Sequence, residues 1–154
     1  MSVTVPVRRG LAAACLLVCL LAPSTASASA RHDRLEAGIV RAINHVRSSY
    51  GVPALHSSSG LARAADAHSA SMLRRNVMSH GSFSSRVRHY VRVRRVGENL
   101  AFMSRCNAGA IVQLWLNSAP HRQVMLSRSF RRVGVGRRSR TNSCFVTADF
   151  GSAR

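Results

Sequence analysis

The sequence contains no lysine. All 23 basic residues are arginine, against five acids, for a formal net charge of +18. Such uniformity is better explained by a base-composition bias in the coding sequence than by selection for bidentate phosphate contacts, and it tempers any nucleic-acid reading. Aromatic residues are scarce, at 5% of the chain. Within the basic run 86–95 the aromatic interleaving is limited to Tyr90, which argues against a stacking groove for single strands. No internal repeat or long linker interrupts residues 31–154, so a single domain is expected. No apolar run reaches the roughly 20 residues that a membrane span needs.

The longest apolar run, residues 10–22, has instead the length and flanks of an export signal. Arg8 and Arg9 precede it, and Pro23 and a series of small residues ending in Ala28-Ser29-Ala30 follow it. Cys15 comes after only four apolar residues, too early for a lipid-modified cysteine, and the residues around Arg8-Arg9 match a twin-arginine signal poorly. Residues 1–30 therefore read as a cleavable signal peptide and 31–154 as a secreted domain with no transmembrane segment. The mature chain would keep 21 arginines against five acids, a net +16. It would also keep two of the four cysteines, Cys106 and Cys144. In an exported domain two cysteines are most simply a disulfide, and closing a loop of that size stabilises by roughly 3–4 kcal/mol in the chain-entropy model.

Hydropathy periodicity predicts three helices and three strands. Asp33 and Glu36 resemble a capping box, after which Leu35, Ile39, Ala42, Ile43, Val46 and Tyr50 recur at helical spacing until Gly51 and Pro53. Ser57, Ser58 and Ser59 offer caps for a second helix with Leu61, Ala64, Ala65, His68 and Met72 on one face, ending near Asn76. Asn107 caps a third, carrying Ile111, Val112, Leu114 and Trp115 and halted before Pro120. Residues 97–103 read as a short buried strand. Residues 132–137 and 144–150, joined by the polar stretch 139–143, read as an antiparallel pair. Helices early, strands late and a helix between imply an α+β fold rather than a parallel βαβ sheet. Residues 77–95 read as irregular or short-helical. The alternation Arg86-Val87-Arg88-His89-Tyr90-Val91-Arg92-Val93-Arg94-Arg95 within them resembles a strand with a basic face.

Three segments carry chemistry-bearing residues: Met78-Ser79-His80-Gly81, Gly97-Glu98-Asn99-Leu100, and residues 115–122 from Trp115 through Pro120-His121-Arg122. Together with Asn44-x-x-Arg47, Val133-Gly134-Val135-Gly136 and Asp149-Phe150-Gly151, in this order and spacing, they resemble the bacterial CAP superfamily. This is the secreted domain shared by cysteine-rich secretory proteins, antigen 5 and pathogenesis-related class 1 proteins. The resemblance implies a three-layer α-β-α sandwich with a small, mainly antiparallel central sheet. It also implies a cleft containing His80, Glu98 and His121. A second glutamate, common three residues after the tryptophan in eukaryotic relatives, is Ser118 here, and Val124 stands where an asparagine is common.

Two imidazoles and a carboxylate suit a divalent metal, zinc or magnesium, with open positions; they also suit a hydrogen-bond network that organises the cleft. The spacings of 18 and 23 residues match no local zinc motif. A secreted binding module for a small-molecule or lipid ligand is the expectation, with a metal-assisted hydrolase using the same three residues as the enzymatic alternative. Ser118 has no nucleophile-elbow motif around it, so no catalytic residue is assigned. A third reading makes Arg86, Arg88, Arg92, Arg94 and Arg95 an anion-binding surface for an anionic cell-surface polymer, with nucleic acid disfavoured. His68, like His45, is expected to be an ordinary helix histidine.

Overall fold

The computed structural model of the protein describes residues 25–153, so the export-signal reading of residues 1–30 lies largely outside them. The elements run α1 (Thr25–Ser49), β1 (His56–Ser57), α2 (Ser59–Arg75), α3 (Phe83–Tyr90), β2 (Val96–Met103), α4 (Ala108–Asn117), α5 (Ala119–Leu126), β3 (Arg132–Arg140) and β4 (Ser143–Gly151). The sheet order is β1-β3-β4-β2. The β3–β4 and β4–β2 pairs are antiparallel, and the two-residue β1 adds to β3 in parallel. Among the described residues no helix is long and apolar enough to cross a membrane.

Local chemistry sets most boundaries. Ser58 caps α2, its hydroxyl accepting from the Leu61 amide, and Asn76 ends that helix in the left-handed region at φ 52°. Both roles suit short polar side chains that bond locally. The Asn107 side chain accepts from Ala110 N at 2.9 Å to start α4. Asp33 and Glu36 do not begin α1, which starts at Thr25. Glu36 Oε1 instead accepts from the backbone amide of Arg137 at 3.0 Å, tying α1 to β3. Pro120 does more than halt α4. It sits in the first turn of a further helix, α5, where its missing N–H costs nothing.

The period of two along β4 sorts the core into two faces. Val146, Ala148 and Phe150 face α1, α4 and α5 and join Ile39, Ile43, Ile111, Trp115 and Met125. Phe145, with Leu100 of β2, faces Met72 of α2. Thr147 on that same face meets Ser69 of α2 at 2.9 Å, and the Ser69 hydroxyl also bonds Gly136 O at 2.9 Å. Helices thus cover both faces of a small sheet, the three-layer α-β-α arrangement. On the α2 face, Gly134 and Gly136 let the helix backbone lie directly on β3. A Cβ at either glycine would fall onto the backbone of Leu61 and Ala62 or of Ala65 and Asp66.

Cys106 and Cys144 form a disulfide with Cα atoms 5.6 Å apart, well inside the span such a bridge needs. It fastens the segment leading into α4 to the first residues of β4. The arginine run departs from its strand-like alternation. Residues 83–90 are helical, because Val87 is drawn into a small cluster with Leu61 and Ala64 of α2. A helix turns every third or fourth residue inward, so Arg86 and Arg88 no longer share a face.

Candidate functional site

β2 is the open edge of the sheet, and its register with β4 places Glu98 opposite Asp149. Side chains of antiparallel partners project to the same face, so two carboxylates lie side by side on the α2–α3 face. Asp149 is fully buried and Glu98 is 5% exposed. Two buried carboxylates are costly without donors or cations. The chain supplies both from the segment that crosses the sheet edge.

Arg86 of α3 bonds Glu98 Oε2 through Nη2 and reaches His80 O through Nη1 at 3.3 Å. His80 donates from Nδ1 to Glu98 Oε1 at 2.8 Å. Arg86, expected on the basic surface, is therefore turned inward as the counter-ion of a buried acid. Arg88, Arg92, Arg94 and Arg95 are exposed.

Asp149 is the less satisfied acid. Arg86 Nη2 stands 3.6 Å away, and neither carboxylate oxygen has a hydrogen-bond partner among the described residues. Burial, then the charge of Glu98, pushes the Asp149 carboxyl up to about 8. Burial pushes Glu98 up to about 7 against the pull of Arg86. One guanidinium and two carboxyls reach neutrality when the pair Glu98 and Asp149 keeps one proton between them.

The third expected residue, His121, comes from the opposite face. Asn99, the neighbour of Glu98 on β2, points to that side and donates from Nδ2 to His121 O at 3.0 Å. Trp115 Nε1 donates to Leu100 O at 2.8 Å, so α4 and α5 are both hooked onto the edge strand. His121 Nδ1 is buried without a partner among the described residues. Burial, then the charge of His80, lowers the His121 pKa, so the two imidazoles sense one another across the edge. The His80 side chain is 52% exposed, and its Nε2 has no protein partner among the described residues.

This arrangement changes the metal-ligand set expected from sequence. Among the described residues no three of His, Cys, Asp and Glu gather so as to hold a metal ion. Glu98 is committed to His80 and Arg86, and the free donors are the two imidazoles. A divalent ion fits them in one respect: a carboxylate behind the first histidine fixes its tautomer with the lone pair on Nε2, a common support for histidine ligands. Two nitrogens favour zinc over magnesium, which prefers oxygen.

Sequence reasoning missed Asp149 and His68 as members of this neighbourhood. The Asp149-Phe150-Gly151 motif was visible, but only the strand register puts its acid beside Glu98. His68 is 5% exposed on α2 and bonds Ser79 O at 2.8 Å through Nε2. It therefore holds the residue preceding His80.

Burial, with Arg86 and other cations adding to it, lowers the His68 pKa to about 4. Because the folded state resists charging it, its contribution is intact above the unfolded value near 6.5 and is lost as pH falls toward 4. The loss should amount to about 2–3 kcal/mol. Glu98 and Asp149, with raised values, act in the opposite sense and lose stability as pH rises through about 4 to 8. Urea unfolding of the protein and of His68→Gln at pH 7.5 and 4.5 separates the two. On acidification the variant should come out more stable relative to the parent by about 2–3 kcal/mol, whereas identical changes in the two would mean that His68 is not held neutral.

The chain belongs to the CAP family, the cysteine-rich secretory protein family, whose pattern matches residues 40–150. It is similar to the membrane protein YlbC of Bacillus subtilis (strain 168), with 32% identity over 107 residues, covering 66% of this chain and 31% of that protein. Among solved structures it resembles an extracellular SCP-domain protein of Bacillus anthracis, at TM-score 0.75 and 27% identity over 84% of this chain and 44% of that one. It shares its fold with an outer surface protein of Borrelia burgdorferi, at TM-score 0.69 and 20% identity over 75% and 90% of the two chains. The chain thus spans less than half the length of the first two. These relatives are extracellular, surface or membrane proteins.

Proposed function

We propose that this protein is an exported CAP-domain binding module whose edge cleft takes a divalent cation, zinc by preference, between His80 and His121. The observation that carries this reading is the His80–Glu98 contact. At 2.8 Å to Nδ1, an ionised carboxylate dictates the Nδ1–H tautomer and turns Nε2 into the free lone pair of a half-exposed ring. The partnerless Nδ1 of His121 supplies a second nitrogen. A bound cation would leave coordination positions for a small ligand, and the surface character of the relatives supports export.

The test is titration of the purified protein with zinc chloride by calorimetry at pH 7.5. One equivalent should bind. His80→Ala and His121→Ala should each abolish the heat, and Glu98→Gln should weaken binding about 10–100-fold by loosening the ring it orients. Equal uptake by the parent and both histidine variants would place any bound zinc elsewhere and defeat the proposal.

A further inference from the structure

A second feature lies apart from the cleft residues, where the ends of three neighbouring strands meet. Residues 94–95 lead into β2, residues 128–131 lead into β3, and residues 152–153 leave β4. Between them is a cavity of about 330 Å³ lined by Arg94, Arg95, Arg128 and Arg131 with Ser129 and Ser152, and by no carboxylate. The four guanidinium groups come from two distant stretches of chain, so the cluster is a product of the fold rather than of a basic run.

The groups are held by neutral acceptors. Arg95 Nη1 donates to Ser129 Oγ at 2.9 Å, Arg131 Nη1 to Arg128 O at 2.8 Å, and Arg128 Nη2 to Gly51 O at 2.6 Å. Ser152 is fixed by a backbone pairing with Arg95, N to O at 3.0 Å, and by Arg132, which donates to Ser152 O from Nη2 at 3.0 Å. The described acids are engaged elsewhere. Glu36 meets Arg137, Asp66 meets Arg138, and Glu98 and Asp149 face Arg86.

The concentration of like charge is felt in the interior. Besides burial, it is Arg131 and Arg128 that lower the pKa of the buried Arg47. Arg95, Arg128 and Arg131, held by neutral acceptors, and the exposed Arg94 face no carboxylate among the described residues, and they repel one another until an anion joins them.

We infer that this cavity is an anion site that takes a phosphate ester, such as the phosphate of a small sugar or polyol. Guanidinium forks match the spacing of phosphate oxygens and bond them in pairs. The Ser129 hydroxyl, which accepts from Arg95, can donate to a polyol oxygen next to the phosphate, whereas that of Ser152 already donates to Ala153 O. The volume, at the small end of ligand pockets, fits one phosphate with a short substituent. The inference is independent of the cleft and stands whether or not zinc binds there.

Titration with glycerol 3-phosphate at low ionic strength, followed in amide and arginine side-chain NMR spectra, tests it. Shifts should centre on residues 94, 95, 128, 131 and 152. The pair Arg128→Ser/Arg131→Ser should weaken binding at least about tenfold while unfolding normally, since it relieves the repulsion on Arg47. The pair Arg74→Ser/Arg75→Ser removes the same charge at the far end of α2 and should change affinity by less than about twofold. Equal weakening by both pairs, or shifts scattered over the arginine surface, would overturn the site in favour of bulk attraction. So would binding to phosphatidylglycerol vesicles without any response to glycerol 3-phosphate.

Discussion

Replacing Gly136 by alanine should leave a chain that does not fold. The added methyl would land on the backbone of Ala65 and Asp66, and neither a helix nor a paired strand can yield locally. To make room, α2 must lift off β3. That separation would open the Met72–Leu100–Phe145 cluster and break the bonds from Ser69 to Gly136 O and Thr147. Overpacking of a core ordinarily costs 1–3 kcal/mol. Displacing a whole helix adds lost burial, so the expected cost is above about 4 kcal/mol, comparable with the total stability of a domain this size. Gly109→Ala is the matched control. It lies in α4, where a Cβ meets only the Asn107 side chain at 3.5 Å, and helix propensity should make it neutral or stabilising by up to about 1 kcal/mol. Circular dichroism and chemical denaturation of the two variants check the contrast.

Arg47→Met should be nearly as damaging, although it removes a positive charge from a chain with an excess of them. Arg47 is fully buried. Its guanidinium donates to Pro53 O at 2.9 Å, Met125 O at 2.7 Å, Ser127 O at 3.1 Å and Phe130 O at 3.4 Å. Among the described residues no carboxylate compensates it; the four carbonyls do. Methionine fills the space and leaves those acceptors without a donor. Each costs about 1–3 kcal/mol if water cannot reach it, so a net loss of about 3–5 kcal/mol is expected after partial relaxation. Arg47→Lys should recover only part of this, because one ammonium cannot span carbonyls on both sides of the fork. A midpoint of urea unfolding unchanged in Arg47→Met would show that the guanidinium network contributes nothing.

These two residues also mark what the sequence could reveal. Helical periodicity placed Ile39, Ile43, Leu61 and Trp115 in the core, and the serine cluster 57–59, Asn76 and Asn107 at helix ends, because those signals are local. The hairpin of β3 and β4 followed from two strand-like segments on either side of a polar turn. The first turn of α5 was hidden because a proline that ends one helix can open the next. The reading of residues 77–95 as irregular or short-helical agrees with α3. The alternation inside the arginine run resembled a strand as well, because the apolar patch on α2 that recruits Val87 lies far away in sequence.

At the site, family resemblance pointed to His80, Glu98 and His121, of which His80 and Glu98 are in contact. It could not say that Glu98 also engages Arg86, because that depends on where α3 packs. Asp149 and the arginine-lined cavity required strand register. Neither Arg128 nor Arg131 has any feature that separates it from the other 21 arginines until three strand ends are brought together.

The most direct test of the cleft is a long-range proton–nitrogen NMR spectrum of the histidines at pH 7.5, recorded before and after one equivalent of zinc. Before zinc, His80 should appear as the Nδ1–H tautomer with an unprotonated Nε2, as the carboxylate behind it dictates. After zinc, one ring nitrogen of His80 and one of His121 should shift together, while His68 keeps its Nε2–H bond to Ser79 O. A His80 ring protonated at Nε2 and unmoved by zinc would contradict the account.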